Sequence, residues 1–291
     1  MSYIFNDDRW KYGTNIFQKE KIISTLFHSK MWRKLNPKNR IFILQEIENI
    51  QAEKQKRDPY KIVLLNENYN LDRDLFDMMV NYNTKKIYMR CDYVEKGLKQ
   101  NITYEGIRKI DINDRLNVEL LDGIIHEGYH IWTMQKAIKT KDMENLKLED
   151  REVILGLLIR RNIGEKRNTE NNVQIMKNER YLYRVEPAEY YAFKYAKDYI
   201  DKLFGVLERK YEKDKGYKNY LKYYYQEICD IEKKYKEDKN ESLCYQEIYI
   251  KVFFEYIEKF IDKDRRKAEK VLDILKINKR NYQIDNSREL E

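Results

Sequence analysis

The sequence predicts an α+β protein that is predominantly helical, with one small β-sheet and a helical C-terminal region. Apolar residues recur at helical spacing near the start of the chain and almost continuously from Leu116 onward. Strand-like composition is confined to three short stretches, 60–65, 85–90 and a weaker one at 107–112. With so few strands, the helices must supply most of the buried surface.

The first helices are predicted from apolar spacing and from residues that start and stop helices. Residues 17–32 place apolar side chains along one face of a first helix. Asn36-Pro37 combines a helix cap with a proline in the first turn, so a second helix begins there. That helix runs to about Lys56, because Asp58-Pro59 stops it.

The chain from Leu116 onward has helical periodicity almost throughout. Helical segments are expected at 116–138, 144–161, 186–213, 218–236, 241–262 and 264–277. We therefore expect three parts along the chain. They are an N-terminal helical segment at 1–59, a core at 60–200 and a helical C-terminal appendage at 201–291.

Composition excludes several classes of protein. The net charge of +8 results from 58 basic and 50 acidic residues that are mixed along the chain, which argues against a nucleic-acid surface. No apolar run approaches the roughly 20 residues of a membrane-spanning helix, so we expect no membrane span. The first ten residues include Asp7, Asp8 and Arg9, where a signal peptide needs an apolar core. We expect a cytoplasmic protein, or one exported without a cleaved signal peptide.

The histidines point to the only chemistry that the sequence reveals. Of three histidines, two lie in His126-Glu127-Gly128-Tyr129-His130, an HExxH motif within a helical stretch. Positions i and i+4 share one face of a helix, so both imidazoles can bind one zinc ion at about 2.0–2.1 Å. Glu127 is then placed as general base toward a metal-activated water. Gly123 and Gly128 each cost the helix about 1 kcal/mol relative to alanine, which indicates that they permit close approach of a neighbouring helix or a substrate backbone.

A zinc site needs a third protein ligand. No histidine follows His130, which leaves a carboxylate. The best candidate is Glu189, which forms one stripe of a predicted helix with Ala192 and Ala196, small residues that allow close packing. Glu186 is an alternative ligand, or an acceptor for the outer nitrogen of a ligand imidazole.

Four further residues are candidates for supporting roles. Asp122, four residues before His126, either accepts a hydrogen bond from a ligand imidazole or faces solvent. Three tyrosines near Glu189 could donate a hydroxyl to a developing oxyanion. They are Tyr183, Tyr190 and Tyr191.

HExxH, followed after about sixty residues by Pro-x-Glu-x-x-Ala-x-x-x-Ala, resembles the compact gluzincin-type metallopeptidases. The nearest are ImmA/IrrE-like peptidases and the metallopeptidase domains of bacterial polymorphic toxins. The resemblance covers about residues 60–200 and implies a small sheet beside an HExxH active-site helix. It also implies His126, His130 and Glu189 as zinc ligands, with Glu127 as base. The thermolysin-type Glu-x-x-x-Asp continuation is absent, because Phe193 stands four residues after Glu189.

The sequence therefore predicts a zinc metallopeptidase, a hydrolase that cleaves a specific protein substrate, either toxin-like or repressor-cleaving. An inhibitor or immunity protein is an expected partner of the toxin-like form. A second interpretation is a non-catalytic helical interaction protein with a structural or degenerate metal site. A nucleic-acid-binding protein is a third, favoured only by the basic excess.

Overall fold

A computed structural model describes residues 15–65, 78–95, 116–139, 146–147, 150–154, 156 and 183–261. These residues form helices and one three-stranded sheet, so the predicted fold class, α+β and predominantly helical, is confirmed. The strand expected at 107–112 and the helix expected at 264–277 lie outside the described residues, as does most of the segment 144–161.

The N-terminal helical stretch is two helices where one was predicted. Helix α1, Ile16–Phe27, begins with a capping box in which Asn15 and Gln18 satisfy each other's backbone N–H groups. It ends at His28, whose backbone is not helical (φ −57°, ψ 130°), and helix α2, Ser29–Trp32, begins immediately afterwards. Apolar periodicity continues across this break, which is why the sequence did not show it.

Helix α3, Pro37–Lys54, begins as predicted. The side chain of Asn36 accepts a hydrogen bond from the backbone N–H of Asn39, and Pro37 occupies the first turn. The chain turns after α3 through Lys56, whose φ of 52° is left-handed. It then enters the sheet.

The sheet has the order β1-β3-β2 and a mixed pairing. Strand β1, Lys61–Leu65, runs parallel to β3, Lys86–Arg90, and β2, Met78–Asn81, runs antiparallel to β3. The predicted strands at 60–65 and 85–90 correspond to β1 and β3. Strand β2 and the short helix α4, Cys91–Glu95, were not predicted.

Four long helices form the rest of the described chain: α5, Leu116–Lys139; α6, Pro187–Glu208; α7, Lys215–Lys239; and α8, Tyr245–Ile261. Residues 150–154 and 156 are also helical. These helices agree with the predicted segments to within a few residues at most ends. Within the described ranges, no helix has both the length and the apolar content needed to cross a bilayer.

The described chain divides into two compact units. The first contains residues up to Trp132 together with Ala192–Ile228, and its core includes Ile47, Ile87, Leu121 and Ile125. The second contains residues of Thr133–Tyr191 and from Cys229 on, and it has buried apolar residues of its own, including Val153 and Phe253. All three borders along the chain fall inside continuous helices, α5, α6 and α7. The predicted parts 1–59, 60–200 and 201–291 stay a prediction.

Candidate metal centre

The two motif histidines lie one above the other on α5. Their Nε2 atoms are 3.0 Å apart, and their rings meet edge to face with centroids 4.6 Å apart. Two nitrogens bound tetrahedrally to one zinc at about 2.0–2.1 Å would be roughly 3.3 Å apart. The pair therefore has nearly the separation that shared ligation requires.

Glu189 lies in the first turn of α6 and completes a group of three. One ligand atom from each of His126, His130 and Glu189 lies within 4.8 Å of the other two. The three residues are 6%, 8% and 3% exposed, so the group is buried. Two imidazoles and one carboxylate form the donor set of a catalytic zinc site, and the residues fit this metal. The part of the chain that the structure describes contains no second group of this kind.

Local sequence explains why α6 begins just before Glu189. Pro187 occupies the first position of the helix, and the backbone carbonyl of Glu186 accepts the first helical hydrogen bond, from Tyr190 N–H at 2.8 Å. The stripe predicted below Glu189 is buried, with Ala192 and Ala196 both fully inaccessible to solvent. Small side chains thus lie where the prediction required close packing.

Glu127, the predicted base, differs from the predicted ligands in its exposure. It is half-buried, whereas His126, His130 and Glu189 are buried. A general base must reach water and a substrate. The burial pattern agrees with the different role that the motif gives to this carboxylate.

The candidate supporting residues have other contacts in the structure. Asp122 accepts a hydrogen bond from the Tyr220 hydroxyl at 2.7 Å. Glu186 is buried but is not a member of the group of three. Their proposed roles as acceptor or alternative ligand stay predictions.

The three tyrosines considered as oxyanion donors lie near the start of α6. The Tyr191 hydroxyl donates to the carboxylate of Glu152. The Tyr190 ring stacks on Tyr249 at 4.0 Å between centroids. The Tyr183 carbonyl accepts from the Glu186 N–H at 3.2 Å. Donation to an oxyanion stays a prediction for all three.

Gly123 and Gly128 both have close neighbours, but these are side chains of a strand and of an ion pair and include no neighbouring helix backbone. A Cβ atom on Gly123 would lie 2.8 Å from Cε of Met78, on strand β2. A Cβ atom on Gly128 would lie 3.0 Å from Arg57 Nη2 and 3.2 Å from Glu48 Oε2. The sheet therefore packs beside the HExxH helix, as predicted.

The neighbours of Gly128 form a buried ion pair that the sequence analysis missed. Arg57 donates to both carboxylate oxygens of Glu48, at 2.6 and 2.8 Å, and both side chains are at most 1% exposed. Glu48 also accepts from the backbone N–H of Tyr60 at 2.8 Å. A signal was present, because Glu48 follows Leu44 by one turn on the apolar face of α3.

Phe193 is a second missed neighbour of the site. Its ring centroid is 4.3 Å from that of His126. It lies one turn after Glu189, at the position where the thermolysin-type pattern has Asp. An aromatic ring therefore packs against the first motif histidine.

No protein-family model, curated protein or solved structure matches this chain. The functional assignment therefore depends on the residues of the site.

Proposed function

We propose that the protein is a zinc-dependent metallopeptidase that hydrolyses peptide bonds in a specific protein target. His126, His130 and Glu189 hold the zinc, and Glu127 is the general base. The observation that carries the proposal is the buried group of two imidazoles and one carboxylate, with its histidine nitrogens 3.0 Å apart. This group occurs in an HExxH motif, where a carboxylate adjoins the metal ligands.

Bound zinc would supply Lewis acidity, which polarises the peptide carbonyl and lowers the pKa of water toward 7. Glu127 takes a proton from the attacking water as the water oxygen bonds to the carbonyl carbon. The carbon–nitrogen bond then breaks, and Glu127 delivers that proton to the leaving amine. His126, His130 and Glu189 are buried side chains of helices, and in this mechanism they hold the zinc and take no part in the proton transfer.

Resemblance to ImmA/IrrE-like peptidases and toxin metallopeptidase domains favours a protein substrate over a small molecule. It also suggests an inhibitor or immunity protein as a partner of a toxin-like enzyme. Growth arrest of a host cell that depends on Glu127 would favour the toxin-like form. Cleavage of one repressor without growth arrest would favour the other form.

Metal content and proteolysis test the proposal together. Wild-type protein should bind about one zinc per chain, and His126→Ala should abolish binding. Glu127→Gln should keep the zinc but reduce cleavage of its target by about 10²–10⁴-fold, because only the base is lost. The target is the protein band that disappears from a lysate with wild type and remains with Glu127→Gln.

Matched controls are available in the same chain. Glu119→Gln makes the same change on another half-buried glutamate of α5, and His28→Ala removes a buried histidine outside the motif. Both variants should retain zinc and activity. A wild-type protein without zinc, or a fully active Glu127→Gln variant, would refute the enzymatic proposal and favour the interaction protein.

A further inference from the structure

The segment that carries Glu189 is held by a buried polar cluster within the second unit. Tyr191, two residues after Glu189, donates its hydroxyl proton to Glu152 Oε2. Tyr249 of α8 donates to the same oxygen at 3.0 Å. Glu152 is only 2% exposed, so its carboxylate depends on such donors for the hydrogen bonds that water would otherwise supply.

Helix α8 also contacts this segment through aromatic rings. The Tyr249 ring stacks on Tyr190, with centroids 4.0 Å apart and an interplanar angle of 12°. The Tyr245 hydroxyl donates to the backbone carbonyl of Arg184 at 3.0 Å. Two tyrosines of α8 thus contact one residue before Glu189 in the sequence and one residue after it.

The helical residues around Glu152 provide a second support. Gly156 lies one turn after Glu152, and a Cβ atom at Gly156 would be 2.7 Å from Cβ of Pro187. Pro187 is the first residue of α6 and lies two positions before Glu189. Close packing at Gly156 and the hydrogen bond at Glu152 therefore act on residues on either side of Glu189, within the first five residues of α6.

The hydroxyl of Tyr249 is suited to permanent donation. Burial raises the pKa of Tyr249 well above its ordinary value, and the neighbouring Tyr191 and Glu152 raise it further. The hydroxyl therefore keeps its proton at physiological pH.

We propose that α8 and the helical residues 150–154 and 156 position Glu189 for metal binding, through Tyr249, Glu152 and Tyr191. The inference rests on the proposed function and gives the C-terminal region a role in the metal centre itself. None of the three residues is a metal ligand. They are positioning residues, because their contacts hold the start of α6, where Glu189 lies.

A double-mutant cycle on zinc affinity tests this positioning. Zinc affinity of the full-length chain is measured by competition with a chelator for wild type, Tyr249→Ala, Glu189→Ala and the double variant. Partners that orient metal ligands are typically worth 10–100-fold in metal affinity, so Tyr249→Ala should weaken binding by about 10-fold or more. The double variant should bind no more weakly than Glu189→Ala, because Tyr249 acts only through Glu189.

Milder variants and a control separate positioning from general damage. Tyr249→Phe keeps the stacked ring and loses only the hydroxyl, so its zinc affinity should lie between that of Tyr249→Ala and that of wild type. Tyr235→Ala removes another buried tyrosine of the second unit and should leave zinc affinity unchanged. Circular dichroism of the metal-free proteins identifies any variant that fails to fold. If Tyr249→Ala does not fold, the zinc affinities of the two single variants Tyr249→Phe and Glu152→Gln test the positioning role instead.

The outcomes are distinguishable. Wild-type affinity in Tyr249→Ala, or in both mild variants where Tyr249→Ala does not fold, refutes the positioning role and leaves the proposed function intact. Losses that add in the double variant also refute it, because Tyr249 would then act independently of Glu189. Absence of zinc from wild type, or undiminished affinity in Glu189→Ala, refutes the proposed ligand set and the inference with it.

Discussion

Gly128 has two unrelated neighbours, the motif histidines along the chain and the Glu48–Arg57 ion pair in space. The sequence indicated that something approaches this glycine closely, because a helix gains nothing from glycine. It could not identify the neighbour, since Arg57 is far away along the chain. The ion pair is held by hydrogen bonds to Tyr60 and Gln55 as well, so it has little freedom to move aside.

We expect Gly128→Ala to lower the free energy of unfolding. Overpacking of a core typically costs about 1–3 kcal/mol, against a gain of about 1 kcal/mol in helix propensity. Gly205 of α6 is the matched control, because nothing lies within 4 Å of a Cβ atom there. Gly205→Ala should therefore stabilise the protein by up to about 1 kcal/mol. Urea unfolding measures both, and equal stabilisation would contradict the close packing at Gly128.

Among the site residues, those defined by local spacing were predictable. His126, Glu127 and His130 follow from one motif, and Glu189 follows from a proline, a carboxylate and two alanines in register. The sequence shows Phe193 only as the residue that replaces the aspartate of the thermolysin-type pattern, and it gives no sign of a contact with a motif histidine. Its contact with His126 depends on how two helices pack, which spacing within one helix does not determine.

At the scale of elements, the Glu48–Arg57 pair joins the C-terminal half of α3 to the turn that precedes β1. Arg57→Met should lower the free energy of unfolding by about 3–5 kcal/mol, because it leaves the Glu48 carboxylate buried without its cation. The exposed pair Lys85–Asp58 is the control, and Asp58→Asn should change stability by about 0–1 kcal/mol. Thermal or urea unfolding compares the two. A loss of unfolding free energy in Arg57→Met as small as that in Asp58→Asn would contradict the prediction, because it would show that water reaches Glu48.

A second inter-element contact caps two helices at once. Asp214 accepts from the backbone N–H groups of Ser29 at 2.6 Å and Tyr217 at 2.9 Å, and from Ser29 Oγ at 2.7 Å. It is 1% exposed. It therefore joins the start of α2 to the start of α7.

Asp214→Ala should lower the free energy of unfolding by about 2 kcal/mol or more, because buried donors then lose their acceptor. Asn36→Ala removes the solvent-exposed cap of α3 and should lower the free energy of unfolding by about 1 kcal/mol. Denaturant unfolding of both variants gives the comparison. A smaller loss at Asp214 than at Asn36 would contradict its buried capping role.

Elements with strong local signals were predicted, and elements created by pairing were not. The Asn36-Pro37 start, the strands β1 and β3 and the four long helices follow from capping, composition and periodicity. Strand β2 has only four residues, Met78–Asn81, and its strand geometry depends on pairing with β3, where Val80 lies opposite Ile87. The break at His28 was missed because apolar spacing continues through it.

At the scale of the whole molecule, the first unit has an extensive apolar core, with residues such as Ile47, Ile87 and Leu121, that does not depend on metal binding for its packing. Removal of zinc by a chelator should therefore leave the helical circular dichroism signal but lower the melting temperature. Zinc at 100 times its Kd would contribute about 2.7 kcal/mol. Melting curves with and without zinc measure the change in melting temperature, and this change should be smaller in Glu189→Ala than in wild type. An unfolded metal-free protein would contradict the prediction.

The hydrogen bond between Tyr249 and Glu152 joins residues 97 positions apart. During synthesis the ribosome must translate α8 before Glu152 and Tyr191 can acquire this partner. If α8 positions Glu189, a nascent chain that has been translated only as far as Glu189 still lacks the contacts that hold this third ligand in place. Under the proposed function, peptidase activity would then require that α8 has been translated as well as Glu189.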